Sequence, residues 1–209
     1  VYIPNEFKVT DQEKVYQFIR KNSFGLLLTS VNDEIFNSQI PFIIKPEGDS
    51  FILYGHLSRN NDQWKTSENK KVTVLFLGTH HYISPRWYTI ESSVPTWDYA
   101  TVKINGILEL LERSQTELLL KELSLELDPE WAALQKEKED YYQKMIEEIV
   151  GFRIKVTEIF AKWKMSQNRP VEDITKVLDN LNKIPHSDAK ETAHEILESN
   201  LSRLTRTKL

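Results

Sequence analysis

Cysteine is absent from the 209 residues. That excludes thiolate metal sites, a cysteine nucleophile and any disulfide scaffold, and it accords with a reducing compartment. Glycine is scarce, with six residues where average usage would supply roughly 15. Neither GxGxxG nor GxxxxGK[ST] occurs, which argues against nucleotide binding of the dinucleotide-fold or P-loop kind, and the HExxH zinc motif is missing too. Long apolar runs are also lacking. FGLLL (24–28) and VLFLG (74–78) are five residues each, against the roughly 20 that a membrane helix needs. The opening VYIPNEFKVTDQE has no basic start followed by an apolar stretch, so no secretory signal is read and a cytoplasmic location is expected. No charge of one sign dominates. The 27 Lys+Arg and 31 Asp+Glu leave a formal −4 and a pI near 5.8, which provides no global field for nucleic acid or an anionic bilayer.

What the chain does have is material for a core. Hydrophobic residues make up 40%, aromatics 11% and charged residues 28%, the balance of one globular domain with a small appendage. Thr10 and Glu13 read as a capping box opening a helix over about 11–22, with Val15, Phe18 and Ile19 on one face. FGLLLTS (24–30), EIFNSQIPFII (34–44) and FILYGH (51–56), separated by Asn32-Asp33 and PEGD (46–49), read as a three-strand antiparallel meander. VTVLFLG (72–78) and a long segment from about 99 to 112 add strands, and Gly106 within the second implies a bulge or a close backbone approach.

Ser114 with Glu117 predicts a helix to about 127, and Asp128-Pro129-Glu130 predicts the start of another. Trp131, Leu134, Tyr141, Met145 and Ile149 are placed on its inward face. Twelve acidic against five basic residues over 109–148 read as a solvated face. Gly151 is expected to end this insertion before the strand 152–164, whose Ile154, Val156 and Ile159 are expected inward. Two amphipathic helices, about 170–183 and 188–200, complete the chain. The expected fold is a mainly antiparallel β-barrel with helices, of the α+β class. Its barrel domain spans 1–169 with a helical insertion at about 114–148, and its helical appendage spans 170–209.

Three segments carry the chemistry. In GHLSRNNDQW (55–64), Ser58 is placed to cap a helix whose first amides face an anion together with the Arg59 guanidinium. An ordinary strand-to-helix turn with a surface arginine is the alternative. HYISPRWY (81–88) and VPTWDYA (94–100) bring Tyr82, Trp87, Tyr88, Trp97 and Tyr99 close together, as the wall of a planar ligand or as core. KMSQNRP (164–170) gathers Lys164, Ser166, Gln167, Asn168 and Arg169 at a strand exit, which suits a phosphate or carboxylate as well as a helix start at Pro170. His80 and His81 are adjacent on a strand and point to opposite faces.

These segments, with YIPNEF (2–7), NSQIPF (37–42) and VPTWDYATVKING (94–106), make the chain similar over nearly its whole length to the PaiB-type family of FMN-binding negative transcriptional regulators of bacteria. The resemblance implies an FMN-binding split barrel, shared with pyridoxamine-phosphate oxidases, forming a homodimer with flavin at the subunit interface. By position, it assigns phosphate contact to Ser58, Arg59 and Asn60, with Tyr54, Gly55 and His56 along the cofactor. It also places Gln39, Ile40 and Pro41 beneath the isoalloxazine, and implicates Trp97, Lys164, Gln167, Asn168 and Arg169. Asp98 stands where the family often has Asn, and Asn60 and Asn61 replace small residues. An added carboxylate near a flavin would disfavour an anionic reduced ring.

The expected function is that of a flavin- or metabolite-responsive negative regulator of transcription, with FMN as cofactor. No basic recognition helix is evident, so DNA binding is left open. An FMN-dependent oxidoreductase is the alternative, followed by a haem-binding or haem-degrading split barrel with His56, His80 or His81 as axial ligand.

Overall fold

The computed structural model describes residues 1–89, 92–134 and 139–206, less the side chains of residues 134, 139–142 and 206. Among the described residues eight strands run in chain order: β1 (Lys8–Val9), β2 (Phe24–Val31), β3 (Glu34–Pro41), β4 (Ile43–Glu47), β5 (Ser50–Ser58), β6 (Lys71–Ile83), β7 (Thr96–Leu110) and β8 (Ile149–Lys164). The helices are α1 (Gln12–Lys21), α2 (Gln63–Ser67), α3 (Arg113–Leu127), α4 (Pro129–Leu134), α5 (Glu139–Glu147), α6 (Val171–Leu181) and α7 (Ser187–Arg206), with single 3-10 turns at Asn5–Phe7 and Pro85–Trp87. The strand order is β3-β2-β6-β7-β8-β5-β4, with β1 on β8.

The chain divides into two compact units: Tyr16–Phe76 with Lys103–Ile159, and Val1–Val15 with Leu77–Val102 and Phe160–Leu209. In the first of these, β2 and β3 form a hairpin through Asn32 and Asp33, both at positive φ (50° and 66°), the backbone of the tight turn that Asn and Asp tolerate. The expected three-strand meander is broken at Phe42. Pro41 has no N–H to donate, and the Phe42 N–H makes the last bond of the β2–β3 register, to the Ser23 carbonyl at 2.9 Å. The Phe42 ring turns into the core, edge-on to Phe76 at 5.5 Å and to Phe152 at 6.3 Å. β4 therefore starts a separate hairpin with β5, and β5 pairs onward with β8 from Ile52↔Lys155 to Ser58↔Ile149.

Gly106 and Gly151 permit close approaches in this unit. A Cβ on Gly106 would lie 2.5 Å from the Lys155 carbonyl oxygen and from Ile154, so the expected close backbone approach is what the strand contains. Gly151 was expected to end a helix; it lies inside β8, where a Cβ would meet the Thr116 hydroxyl oxygen of α3 at 2.5 Å. The helix starts also shift. Asp11 rather than Thr10 accepts from the backbone at α1, taking the Lys14 N–H at 3.1 Å. Glu112 with Gln115 forms the box at α3, while Asp128 caps α4 as expected, accepting the Trp131 N–H at 2.9 Å. Trp131 and Met145, expected inward, are 49% and 46% exposed, and Ile146 is the buried residue instead. The side chains of Leu134 and Tyr141 lie outside the described residues.

In the other unit, β1 pairs with the end of β8 through Lys8↔Lys162 and Val9↔Ala161. Ile174, Val177 and Leu181 of α6 are fully buried, as are Ala189 and Ile196 of α7. Trp163 and Met165 are buried at the β8 exit.

Candidate functional site

Alternation along β5 sorts the residues of YGHLS onto two faces. Gly55 and Leu57 are buried in the core, and a Cβ on Gly55 would meet Phe152 at 2.9 Å and Ile40 at 3.3 Å. Tyr54, His56 and Ser58 face the other way. The Lys45 ammonium lies 5.2 Å from the Tyr54 ring. Burial pushes the His56 imidazole below its ordinary pKa, so the ring is neutral at pH 7. Its Nδ1 is buried without a hydrogen-bond partner among the described residues.

Ser58 does not cap the helix that follows. Its hydroxyl oxygen accepts the Asn60 N–H at 3.3 Å, its carbonyl accepts the Asn61 N–H at 2.9 Å, and α2 begins only after Asp62. A short turn thus replaces the expected cap, and the Ser58 O–H proton stays available for an acceptor. Arg59 is strapped to the end of α5. Its N–H donates to the Glu148 carbonyl at 2.8 Å, Nε to Glu147 at 2.6 Å and Nη2 to Ile149 at 3.1 Å, which leaves Nη1 its own donors. A cleft of about 420 Å³ opens there, lined by Arg59, Trp64, Arg113, Leu111, Ile146 and Val150 among others. Asn60 is exposed at the turn.

Asn61 and Gln63 have a role that sequence reasoning missed. The Asn61 amide donates to the Ser38 hydroxyl at 2.9 Å, and Ser38 donates to Gln63 Oε1 at 2.6 Å. Gln63 Nε2 donates to Thr29 at 3.1 Å. The turn is thereby tied to β2 and β3, and the signal was the run of amides in NNDQ. On β3, Gln39 is exposed opposite Leu26, Ile40 is buried opposite Gly25, and Pro41 is half-buried opposite Phe24.

The second group of candidates belongs to the other unit. Trp97 is 53% exposed, with the His80 and Tyr82 rings each at 6.1 Å. A shallow groove of about 290 Å³ runs past Leu77, His80, Trp97 and Tyr99. Lys164 Nζ donates to the Thr96 hydroxyl and to the Trp97 carbonyl, the latter at 2.6 Å, and lies 3.9 Å from Asp98. Asp98 is only 1% exposed. Burial pushes its carboxyl up to about 6, against the opposing pull of the Ser166 hydroxyl, which donates to it at 2.6 Å, and of Lys164.

Ser166 holds φ at +60°, a left-handed conformation that is uncommon for serine. Gln167 spends its amide inside the segment, accepting the Met165 N–H and donating to the Trp163 carbonyl, both at 2.7 Å. Asn168 is exposed, and the Arg169 guanidinium stacks 4.1 Å over the Tyr88 ring. α7 closes the segment from behind. Asn200 donates to the Met165 carbonyl at 2.9 Å, and Arg203 donates to those of Gln167 and Arg169 at 2.6 and 2.7 Å.

His80 is exposed and His81 half-buried, the latter donating from Nδ1 to the Tyr82 carbonyl at 2.7 Å. Among the described residues no group of three or more His, Asp or Glu is placed to hold a metal ion, and no helix is long and apolar enough to cross a membrane.

The antiparallel strands with their attached helices define a protein of the split-barrel class. The chain belongs to the Putative FMN-binding domain family, whose model matches residues 1–158. It is 34% identical to Protease synthase and sporulation protein PAI 2 of Bacillus subtilis (strain 168), over 97% of this chain and 99% of that one. It is 27% identical to Uncharacterized protein AN0679 of Emericella nidulans, over 72% and 78% of the two chains. Among solved structures, the FAD and Heme binding protein from Mycobacterium smegmatis superposes with a TM-score of 0.60 at 14% identity, over 80% and 78% of the chains. The Flavocytochrome Anf3 from Azotobacter vinelandii superposes at 0.58 with 17% identity, over 75% and 69%. At those identities the likeness is one of fold.

Proposed function

We propose that this protein binds FMN and acts, as a homodimer, as a negative regulator of transcription responsive to flavin or a metabolite. The observation that carries the cofactor half is the β5 exit. There a buried His56 Nδ1 without a partner among the described residues stands two positions from Ser58 on one strand face, followed by the unspent Nη1 of Arg59. A phosphate needs donors that the fold has not already used, and Ser58 O–H and Arg59 Nη1 fit that need. His56 fits a polar edge of the same ligand. FMN would supply redox chemistry when bound, while the chain's own groups hold and orient it. The near full-length likeness to PAI 2 supports the regulatory half.

The test is an FMN titration followed by flavin fluorescence, with Ser58→Ala and Arg59→Ala beside the wild type. Loss of one charge-assisted hydrogen bond is expected to weaken binding by roughly tenfold or more. Ser58→Ala guards against misfolding, because Arg59→Ala also releases the carbonyls at the end of α5. No saturable binding by the wild type would end the flavin reading. Sustained NAD(P)H consumption by the loaded protein would favour an FMN-dependent oxidoreductase over a regulator.

A further inference from the structure

The cleft at the β5 exit is larger than the flavin reading uses. Its volume of about 420 Å³ is that of a small-molecule site, for which roughly 300–1,000 Å³ is usual. Among the described residues, Arg59 is the one flavin candidate that lines it. The rest is built by α3, α5 and β8. Gly151 lets Thr116 of α3 settle against β8, the Leu111 N–H donates to the Gly151 carbonyl at 2.9 Å, and Arg59 straps the end of α5 to the turn.

Most of the lining is apolar. Ile146 and Val150 are buried, and Trp64 spends its indole N–H on the Arg59 carbonyl at 3.0 Å, leaving the ring as apolar surface. The charged groups of the lining are Arg59, Arg113 and Glu147. Arg113 Nη2 lies 3.3 Å from the Glu147 carboxylate and 3.5 Å from the Gln143 side-chain oxygen. Its Nη1 keeps its own donors, as does that of Arg59. The Arg113 and Glu147 side chains are each 62% exposed, so the pair is weak and open to exchange.

Two guanidinium groups against one carboxylate leave the lining with a single positive charge in excess. A singly charged anion neutralises it, whereas a dianion would carry the site into repulsion with Glu147. Guanidinium forks match a carboxylate, which can take the place of Glu147 on Arg113. The apolar walls then reward a hydrocarbon body behind that head group.

We propose that this cleft binds a carboxylic acid with an apolar body, held as its monoanion by Arg59 and Arg113, and that this ligand is the metabolite to which the regulator responds. The second half rests on the reading above. If FMN phosphate and the carboxylate both draw on Arg59 Nη1, each weakens the other by the same factor.

Octanoate is the probe, with octanamide as its uncharged counterpart. Binding is read by calorimetry and by the indole N–H resonance of Trp64, identified by its loss in Trp64→Phe. Saturable octanoate binding is expected to move that resonance, with octanamide and Arg113→Ala each weaker by roughly tenfold or more. Glu147→Gln frees Arg113 and removes the competing charge, so it should bind octanoate roughly threefold more tightly. A gain of this kind cannot come from misfolding.

No saturable binding, octanamide binding equal to octanoate, or Arg113→Ala and Glu147→Gln both like the wild type would each overturn the proposal. FMN titrations with and without octanoate separate the two readings. Octanoate binding without FMN binding sinks the flavin reading alone, and FMN binding without octanoate binding sinks the cleft alone. Both binding with no effect on each other would overturn the sharing of Arg59.

Discussion

Asp98 makes the stability of the fold depend on pH in an unusual direction. Its carboxyl titrates near 6 when folded, against an ordinary value of 3.8, because burial penalises the charged form more than Ser166 and Lys164 reward it. Between those values the folded chain keeps a proton that the unfolded chain has released, so this residue's contribution falls as pH rises through the window. Asp98→Asn removes the ionisation and keeps an oxygen to accept from Ser166. At pH 8 it is expected to stabilise the protein by on the order of 2 kcal/mol, with almost no change at pH 4. Urea denaturation at both pH values measures this; equal gains at the two would show that packing, not charge, is responsible. The residue was visible in the sequence as the acid in WDY. Its burial was not, because exposure depends on what the 164–169 segment lays across it.

Elements were legible where a local signal had no tertiary competitor. The Asn32-Asp33 turn, the Asp128 cap and the strands begun at FGLLLTS and VTVLFLG lie where they were expected. The meander was not, because the break at Phe42 is decided by Phe76 and Phe152, more than 30 and 100 residues downstream. Gly151 looked like a helix stop for the same reason: the Thr116 hydroxyl that crowds it belongs to α3, which no local pattern connects to β8. α7 shows how an element beyond the matched residues 1–158 can fix a candidate site. Asn200 and Arg203 answer three carbonyls of the 165–169 segment, where the backbone leaves β8 and cannot satisfy itself. Arg203→Ala is expected to cost about 1–3 kcal/mol and to speed hydrogen exchange at residues 165–169, with α1 and β2 unchanged. Uniform acceleration across the chain would indicate general destabilisation instead.

At the scale of the whole molecule, charge constrains how such a protein could act on transcription. The formal balance is −4, and residues 161–209 hold nine basic against seven acidic residues. Several of the described cations are already committed: Lys45 to Glu122, Lys71 to Glu158, Arg113 to Glu147, and Arg153 with Lys155 to Glu109. Non-specific duplex binding draws nearly all of its energy from neutralising phosphates and releasing counterions, and that requires uncommitted cations along one surface. The candidate site was legible in the sequence as two short polar runs, but which of their donors remain unspent emerged only from the fold. Arg59 and Arg203 are both largely occupied by backbone carbonyls. The expected outcome of a mobility assay at 150 mM salt is therefore no retardation of random-sequence duplex, with or without FMN. Regulation would then pass through a partner that carries the DNA contact. Retardation that weakens steeply with salt, at a slope equivalent to six or more phosphates, would contradict this. If the five cations now paired with Glu109, Glu122, Glu147 and Glu158 took part in such binding, alanine substitutions at the four glutamates would strengthen it.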